Sequence, residues 1–146
     1  MNYGSMSRML NAPSGKDAWK VGVPHPLKED AIVGALHLMN QGVAFVGDYS
    51  RYPTVQDKFY MHLVDPRTGR PAENENLAVI ATTPTAEEAG VVATVLFVKG
   101  TKEREKLATI FPDTEWLIVS DKPQHSIVLE GSPGMMEKIK KGEEKI

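Results

Sequence analysis

Short apolar runs broken by turn residues occupy the chain from Trp19 to Thr82, and a denser apolar stretch follows them. Trp19–Val23 predicts a strand closed by the Pro24-His25-Pro26 breaker. Ala31–Met39 is largely apolar and fits a strand or a short helix. Gly34 disfavours a helix there, and a second run, Val43–Val46, follows Asn40-Gln41-Gly42, so two strands are predicted. Phe59–Val64 predicts a further strand, which Pro66 stops. Asp65-Pro66-Arg67-Thr68-Gly69 has the chemistry of a tight turn: proline suits the first central position and glycine tolerates positive φ. Asn74 and Asn76 extend that loop, and Leu77–Thr82 predicts the next strand.

From Thr85 the period changes. Thr85 can cap a helix, and Glu88 lies three residues on, as a capping box requires. Val91, Val92, Val95, Leu96 and Val98 are too dense for a single stripe, which predicts a largely buried helix ended by Gly100. A second helix is predicted from near Thr101, with Leu107, Ala108, Ile110 and Phe111 facing inward and Pro112 as its stop. Glu115–Ser120 and Ser126–Glu130 read as a final strand pair turning through Asp121–His125. Residues 1–16 read as loop or a truncated edge, and 138–146 as a solvated charged tail or a frayed helix. Strands come first, then two adjacent helices, then strands. The pattern predicts one α+β domain over 1–146, a mostly antiparallel sheet with a helix pair packed on one face.

Composition narrows the class. The 146 residues are 41% hydrophobic and 25% charged, with a formal net charge of -2, which gives no bulk attraction to nucleic acid. The absence of cysteine excludes a disulfide framework and thiolate chemistry. No apolar run reaches the roughly 18 residues of a membrane span. Met1–Leu10 has no signal-peptide core, so the chain as it stands reads as cytoplasmic unless an export signal lies upstream.

Three groups of residues can carry chemistry. His62 sits in a predicted strand with Tyr60 and Val64 on the same face, and Asp65, Arg67 and Thr68 follow in the turn. Imidazole moves protons near neutral pH, and guanidinium forks onto phosphate oxygens, so the group suits phosphate chemistry. The same residues also fit a half-buried strand histidine beside an ordinary turn. Gly47-Asp48-Tyr49-Ser50-Arg51-Tyr52 combines a glycine that permits close backbone approach with flat aromatic faces, which suits a ring ligand or merely a strand running into a loop. Thr94 is the polar residue in the middle of an apolar helix, with Glu87 seven residues earlier on the same face. It can bond back to its own helix or serve a ligand or metal. His25, His37 and His125 show no metal-ligand spacing.

Together these blocks resemble the ApbE family of FAD:protein FMN transferases. The matching residues are Trp19-Lys20-Val21-Gly22-Val23 with Pro26, Gly47-Asp48-Tyr49 with Arg51-Tyr52, the run from Tyr60 to Pro71, and Ala93-Thr94-Val95-Leu96-Phe97-Val98 with Gly100. The resemblance covers roughly Asn2–Leu129 and only the later portion of the family's length. It implies transfer of FMN from FAD to a threonine hydroxyl of an acceptor protein, with magnesium assisting and AMP leaving. It makes His62 the base, with Asp65, Arg67 and Thr68 shaping the site. It assigns flavin contact to Gly47, Asp48, Tyr49, Tyr60 and Gly69, and the metal to Thr94, with Glu87 as a substitute ligand.

The chain departs from the family pattern in three places. The family's upstream segment, which contributes much of the flavin site, does not precede these blocks. Gly90 stands where the pattern has a magnesium-ligating aspartate, so weak magnesium binding is expected, strengthened by Gly90→Asp. Val46 replaces a serine before Gly47. The leading expectation is therefore a shortened flavin transferase, acting as a homo-oligomer or with a separate upstream half. The Trp19–Val23 strand is expected at the exposed edge. The alternatives are an inactive flavin- or nucleotide-binding domain and a structural subunit.

Overall fold

The computed structural model describes residues 2, 3, 5–26, 28, 30–47, 54, 55, 58, 59, 63–72, 75–122 and 126–143. In chain order the strands are β1 (Asn2–Tyr3), β2 (Met6–Met9), β3 (Trp19–Pro24), β4 (Ile32–Leu38), β5 (Gln41–Val46), β6 (Thr54–Val55), β7 (Lys58–Phe59), β8 (Val64–Asp65), β9 (Arg70–Pro71), β10 (Asn76–Thr83), β11 (Glu115–Lys122) and β12 (Ser126–Gly131). The helices are α1 (Ala86–Lys99), α2 (Arg104–Ile110) and α3 (Pro133–Glu143), with a 3-10 turn, Gly100–Glu103, joining the first two.

Six strands form one antiparallel sheet in the order β1-β2-β5-β10-β11-β12. Its central strands are apolar on both sides, and strand alternation divides their side chains between two faces. Ala44, Val79, Ala81 and Ile118 face α1 and α2, where they meet Ala89, Val92, Ala93, Leu96, Phe97 and Leu107. Val43, Ala78, Ile80, Leu117 and Val119 face the other way, onto Val23, Leu36 and Leu38 of the β3–β4 hairpin and Met135 and Ile139 of α3. The architecture is α+β and mostly antiparallel, with the helix pair on one face as the pattern predicts. The hairpin and α3 add a second covering layer that the pattern does not predict. No helix among the described residues is long and apolar enough to cross a membrane.

Helix α1 begins and ends where its sequence places the caps. Thr85 has extended φ/ψ and its hydroxyl accepts from Glu88 N at 3.2 Å. Glu87 and Glu88 lie in the first turn and Lys99 in the last, matching the helix dipole. Gly100, at φ 69, ends the helix and donates its N–H to Leu96 O. The helix start lies so close to β5 that Gly42 has room for no side chain. A Cβ there would overlap Thr85 O and sit 2.5 Å from Ala86 N.

Several expectations need correction. Residues 1–16 are not simply loop: β2 pairs with β5 from Met6↔Ala44 to Met9↔Gln41, a long-range partnership that local composition cannot signal. Of the two readings of the C-terminal residues the helix holds for 138–143, and that helix is docked rather than free. These residues belong to α3, whose Ile139 is 2% exposed and rests over Gly34 of β4, with Ile139 Cγ2 2.7 Å from where a Cβ on Gly34 would stand. Lys138 Nζ pairs with Glu115 Oε2 at 2.5 Å and steadies that docking. In α2 only Leu107 is buried, whereas Ala108 and Ile110 face solvent, Ile110 at 56%. The Phe59–Val64 run is divided: Phe59 ends β7, which pairs with β6, and Val64 begins β8, which pairs with β9. Asn76 is not loop but the buried first residue of β10. Among the described residues β3 pairs only with β4, so it is an edge strand, but of a separate two-stranded sheet; the outer strands of the main sheet are β1 and β12.

Gly42→Ala is expected to destabilise the fold by about 1–3 kcal/mol, the usual cost of forcing volume into a closed contact, because the obstacle is helix backbone rather than a side chain that can rotate. Urea denaturation measures it. An unchanged midpoint would show that α1 can lift from the sheet without cost.

Candidate functional site

The turn after β8 is built by its own residues. Asp65 is 8% exposed, and its carboxylate is committed to Arg67. Oδ1 accepts from Arg67 N at 2.9 Å and from Nε at 3.0 Å, and Oδ2 accepts from Nη2 at 2.6 Å. The Asp65 carbonyl accepts from Thr68 N at 3.1 Å and Gly69 N at 2.9 Å, with Gly69 at φ 66. Thr68 Oγ1 accepts from Arg70 N at 3.2 Å, and Ala72 N donates to Leu63 O at 2.9 Å to close the base of the hairpin. Leu63 and Ala72 pack on the helix-side core. Asp65, Arg67, Thr68 and Gly69 thus each have a local structural task.

Electrostatics follow from that geometry. The Arg67 side chain and backbone N–H hold the Asp65 carboxyl down at about 2, helped by the charge of Lys99. The Asp65 carboxylate raises Arg67 above its ordinary value, and Glu103 adds to this. The turn therefore lies beside the end of α1, where Lys99 Nζ meets Glu103 Oε1 at 3.5 Å. The Arg67 side chain keeps 62% of its surface exposed, so its outer edge faces solvent.

Gly47 ends β5 at φ 135, and a Cβ there would lie 2.5 Å from Leu77 O and 2.9 Å from Ala78 Cα. The backbone it approaches closely is that of β10, at the register shift between Asn76 and Ala78. This accounts for the glycine without a ligand. Its neighbour Val46 helps line a cleft of about 490 Å³ with Ser5, Met6, Glu87, Gly90, Val91, Thr94 and Val95. Glu87 is exposed and Thr94 half-buried. The structure thus brings Glu87, Gly90 and Thr94 to one cleft between β2 and α1. It gathers Asp65, Arg67, Thr68 and Gly69 on a turn near Lys99, about 7.5 Å further along the helix axis than Thr94. His62, Asp48, Tyr49 and Tyr60 lie outside the described residues.

The ApbE family model matches residues 1–118. The chain belongs to the ApbE family. It is 32% identical over 102 residues to the FAD:protein FMN transferase of Salmonella typhimurium, covering 69% of this chain and 29% of that protein. It is 32% identical over 90 residues to the Escherichia coli K12 protein of the same name, covering 61% of this chain and 26% of the other. Among solved structures it superposes on the ApbE protein of Thermotoga maritima with a TM-score of 0.76 and 30% identity, over 93% of this chain and 43% of that one. The flavin transferase ApbE of Vibrio cholerae has the same fold, at a TM-score of 0.74 and 22% identity over 93% and 42%. The chain spans less than half the length of these ApbE relatives.

Two residues of this ApbE chain matter to the site and escape a sequence reading. Met6 sits in a stretch that reads as loop, yet it meets Gly90 across the β2–α1 cleft. Asn76 donates from Nδ2 to Leu96 O at 3.4 Å and Phe97 O at 3.2 Å, and its Oδ1 accepts from Ser120 Oγ at 3.4 Å. It ties the last turn of α1 to β10 and β11. The available signal is a polar residue directly before the apolar run Leu77–Ile80.

The Asp65–Arg67 pair predicts a specific acid response. A carboxyl held at about 2 when folded, against 3.8 ordinarily, contributes stability that is complete above about pH 4 and lost as pH falls through about 2. Asp65→Asn should lower stability at pH 7 and remove that part of the acid dependence. Denaturant midpoints taken from pH 7 to pH 2 for both proteins check this. Parallel curves would mean that the pair does not persist in solution.

Proposed function

We propose that this chain carries the histidine-and-turn portion of an FAD:protein FMN transferase. The observation that carries the reading is the run from His62 to Pro71, whose Asp65–Gly69 part forms a self-braced turn with an exposed guanidinium edge. Similarity to transferases of that name supports it. In this reading the threonine Oγ of an acceptor protein attacks the phosphorus of the FMN half of FAD. The new O–P bond forms as the pyrophosphate bond breaks and AMP leaves. His62 takes the threonine proton. Arg67 offers its outer edge to phosphate oxygens while Asp65 fixes its orientation. Gly47, Asp48, Tyr49, Tyr60 and Gly69 are the proposed flavin contacts. No step is assigned to a metal.

A second reading, flavin or nucleotide binding without transfer, is favoured by Gly90 in place of the family's carboxylate. Incubation with FAD, magnesium and a threonine-bearing acceptor separates the two. Mass spectrometry should find FMN added to the acceptor. Flavin retained by the chain with no added mass on the acceptor would decide for binding alone. Where transfer occurs, His62→Ala should slow it about 10²- to 10⁴-fold, the usual size of a general-base contribution, with an unchanged circular dichroism spectrum. An unchanged rate removes His62 from the mechanism.

The proposed partners are the acceptor protein and either a second copy of this chain or a separate chain supplying the remainder of the family's length. Sedimentation at low concentration should show a species larger than a monomer, alone or after mixing with such a chain. A monomer in both conditions overturns this.

A further inference from the structure

The family resemblance places a magnesium ligand on α1, four residues before Thr94. The position is Gly90, which is buried. A Cβ on Gly90 would overlap Met6 Sδ and lie 3.2 Å from Met6 Cγ. Met6 is fixed in β2 opposite Ala44 and packs against the helix-side core. The thioether therefore occupies the space into which an aspartate carboxylate would project. The cleft around it is lined by Val46, Val91 and Val95, and its remaining side-chain oxygens come from Ser5, Glu87 and Thr94.

Magnesium takes about six oxygen ligands at about 2.0–2.1 Å and gives up its water reluctantly. A thioether is a soft ligand with no use for it. An exposed carboxylate and hydroxyls on an apolar wall do not repay dehydration. We propose that α1 of this chain holds no divalent cation, and that the Met6–Gly90 contact has taken the place of the ligand. The inference rests on the transferase reading only in that this reading raises the expectation of a metal. Magnesium needed for transfer would then come to the site on the diphosphate of FAD rather than on α1.

The test is metal binding by the whole chain without FAD, so it is independent of transfer. Calorimetry with magnesium and paramagnetic resonance with manganese are applied to the parent, Glu87→Gln and Thr94→Val proteins. The expected result is no saturable site, or a site whose affinity shifts by less than about twofold in both variants. A saturable site that either substitution weakens by more than this overturns the proposal. Gly90→Asp alone should lower stability, because its carboxylate meets Met6. The double variant Met6→Ala, Gly90→Asp should gain a manganese site at least about tenfold tighter than any in the parent. If the double variant folds and gains no such site, the Met6–Gly90 contact is not what displaced the ligand. If it does not fold, the parent and the Glu87 and Thr94 variants still decide.

Discussion

The close seating of α1 on the sheet is the constraint on which the rest of the structure depends. Helix and sheet touch nearly backbone to backbone at Gly42, which lies under Thr85 and Ala86. The inner side of the helix is correspondingly small at its start, with Ala86, Ala89, Gly90 and Ala93 buried, and large at its end, with Leu96 and Phe97. The helix is thus nearest the sheet at its N-terminal half. Where it stands away, Phe97 fills the gap, and full burial of such a side chain is worth roughly 1.5–3 kcal/mol. Asn76 holds that far end by donating to Phe97 O and, alongside the Gly100 N–H, to Leu96 O.

This seating sets what each half of α1 can present. The cleft between the N-terminal half and β2 is mostly apolar, and the space beside Gly90 goes to Met6. The C-terminal end of α1 brings Lys99, and the 3-10 turn after it Glu103, toward the Asp65–Arg67 turn. The helix thus carries Glu87 and Glu88 in its first turn and Lys99 in its last, and its cationic end is the one beside the Asp65–Arg67 turn.

Legibility in the sequence follows the range of the interaction. The Asp65–Gly69 turn and the Thr85 and Gly100 caps are read correctly because the partners lie within a few residues. The same locality fixes β10 and β11, whose apolar runs are continuous. What fails is what distant partners decide. Met6–Met9 has weak strand character and becomes β2 through pairing with β5. Met135 and Ile139 look isolated among lysines and glutamates, yet their four-residue spacing puts both on the face that meets β4. Gly34 disfavours a helix, as read, but its further role is to admit Ile139. Gly47 reads as an opening for a ligand, and the close approach of the neighbouring β10 backbone is a second, long-range demand for glycine there. For the site the limit is the same: residue types reveal the turn, while the state of the Glu87–Thr94 face depends on a methionine 84 positions before Gly90.

Gly90 and Met6 form one packing unit. A glycine inside a buried helix costs roughly 1 kcal/mol relative to alanine, so an empty position there is unfavourable unless something fills it. Met6 fills it, and methionine suits an irregular gap because it is unbranched and adaptable. Restoring a carboxylate at position 90 alone would bury charge against a thioether, the costly combination of desolvation without a partner. Removing the methionine alone would leave a void against the helix. Neither single step is easy, so the pair is held in place by packing whether or not a metal was ever bound there. In the proposed reading, the absence of a carboxylate at position 90 and the Met6–Gly90 contact are two sides of the same packing.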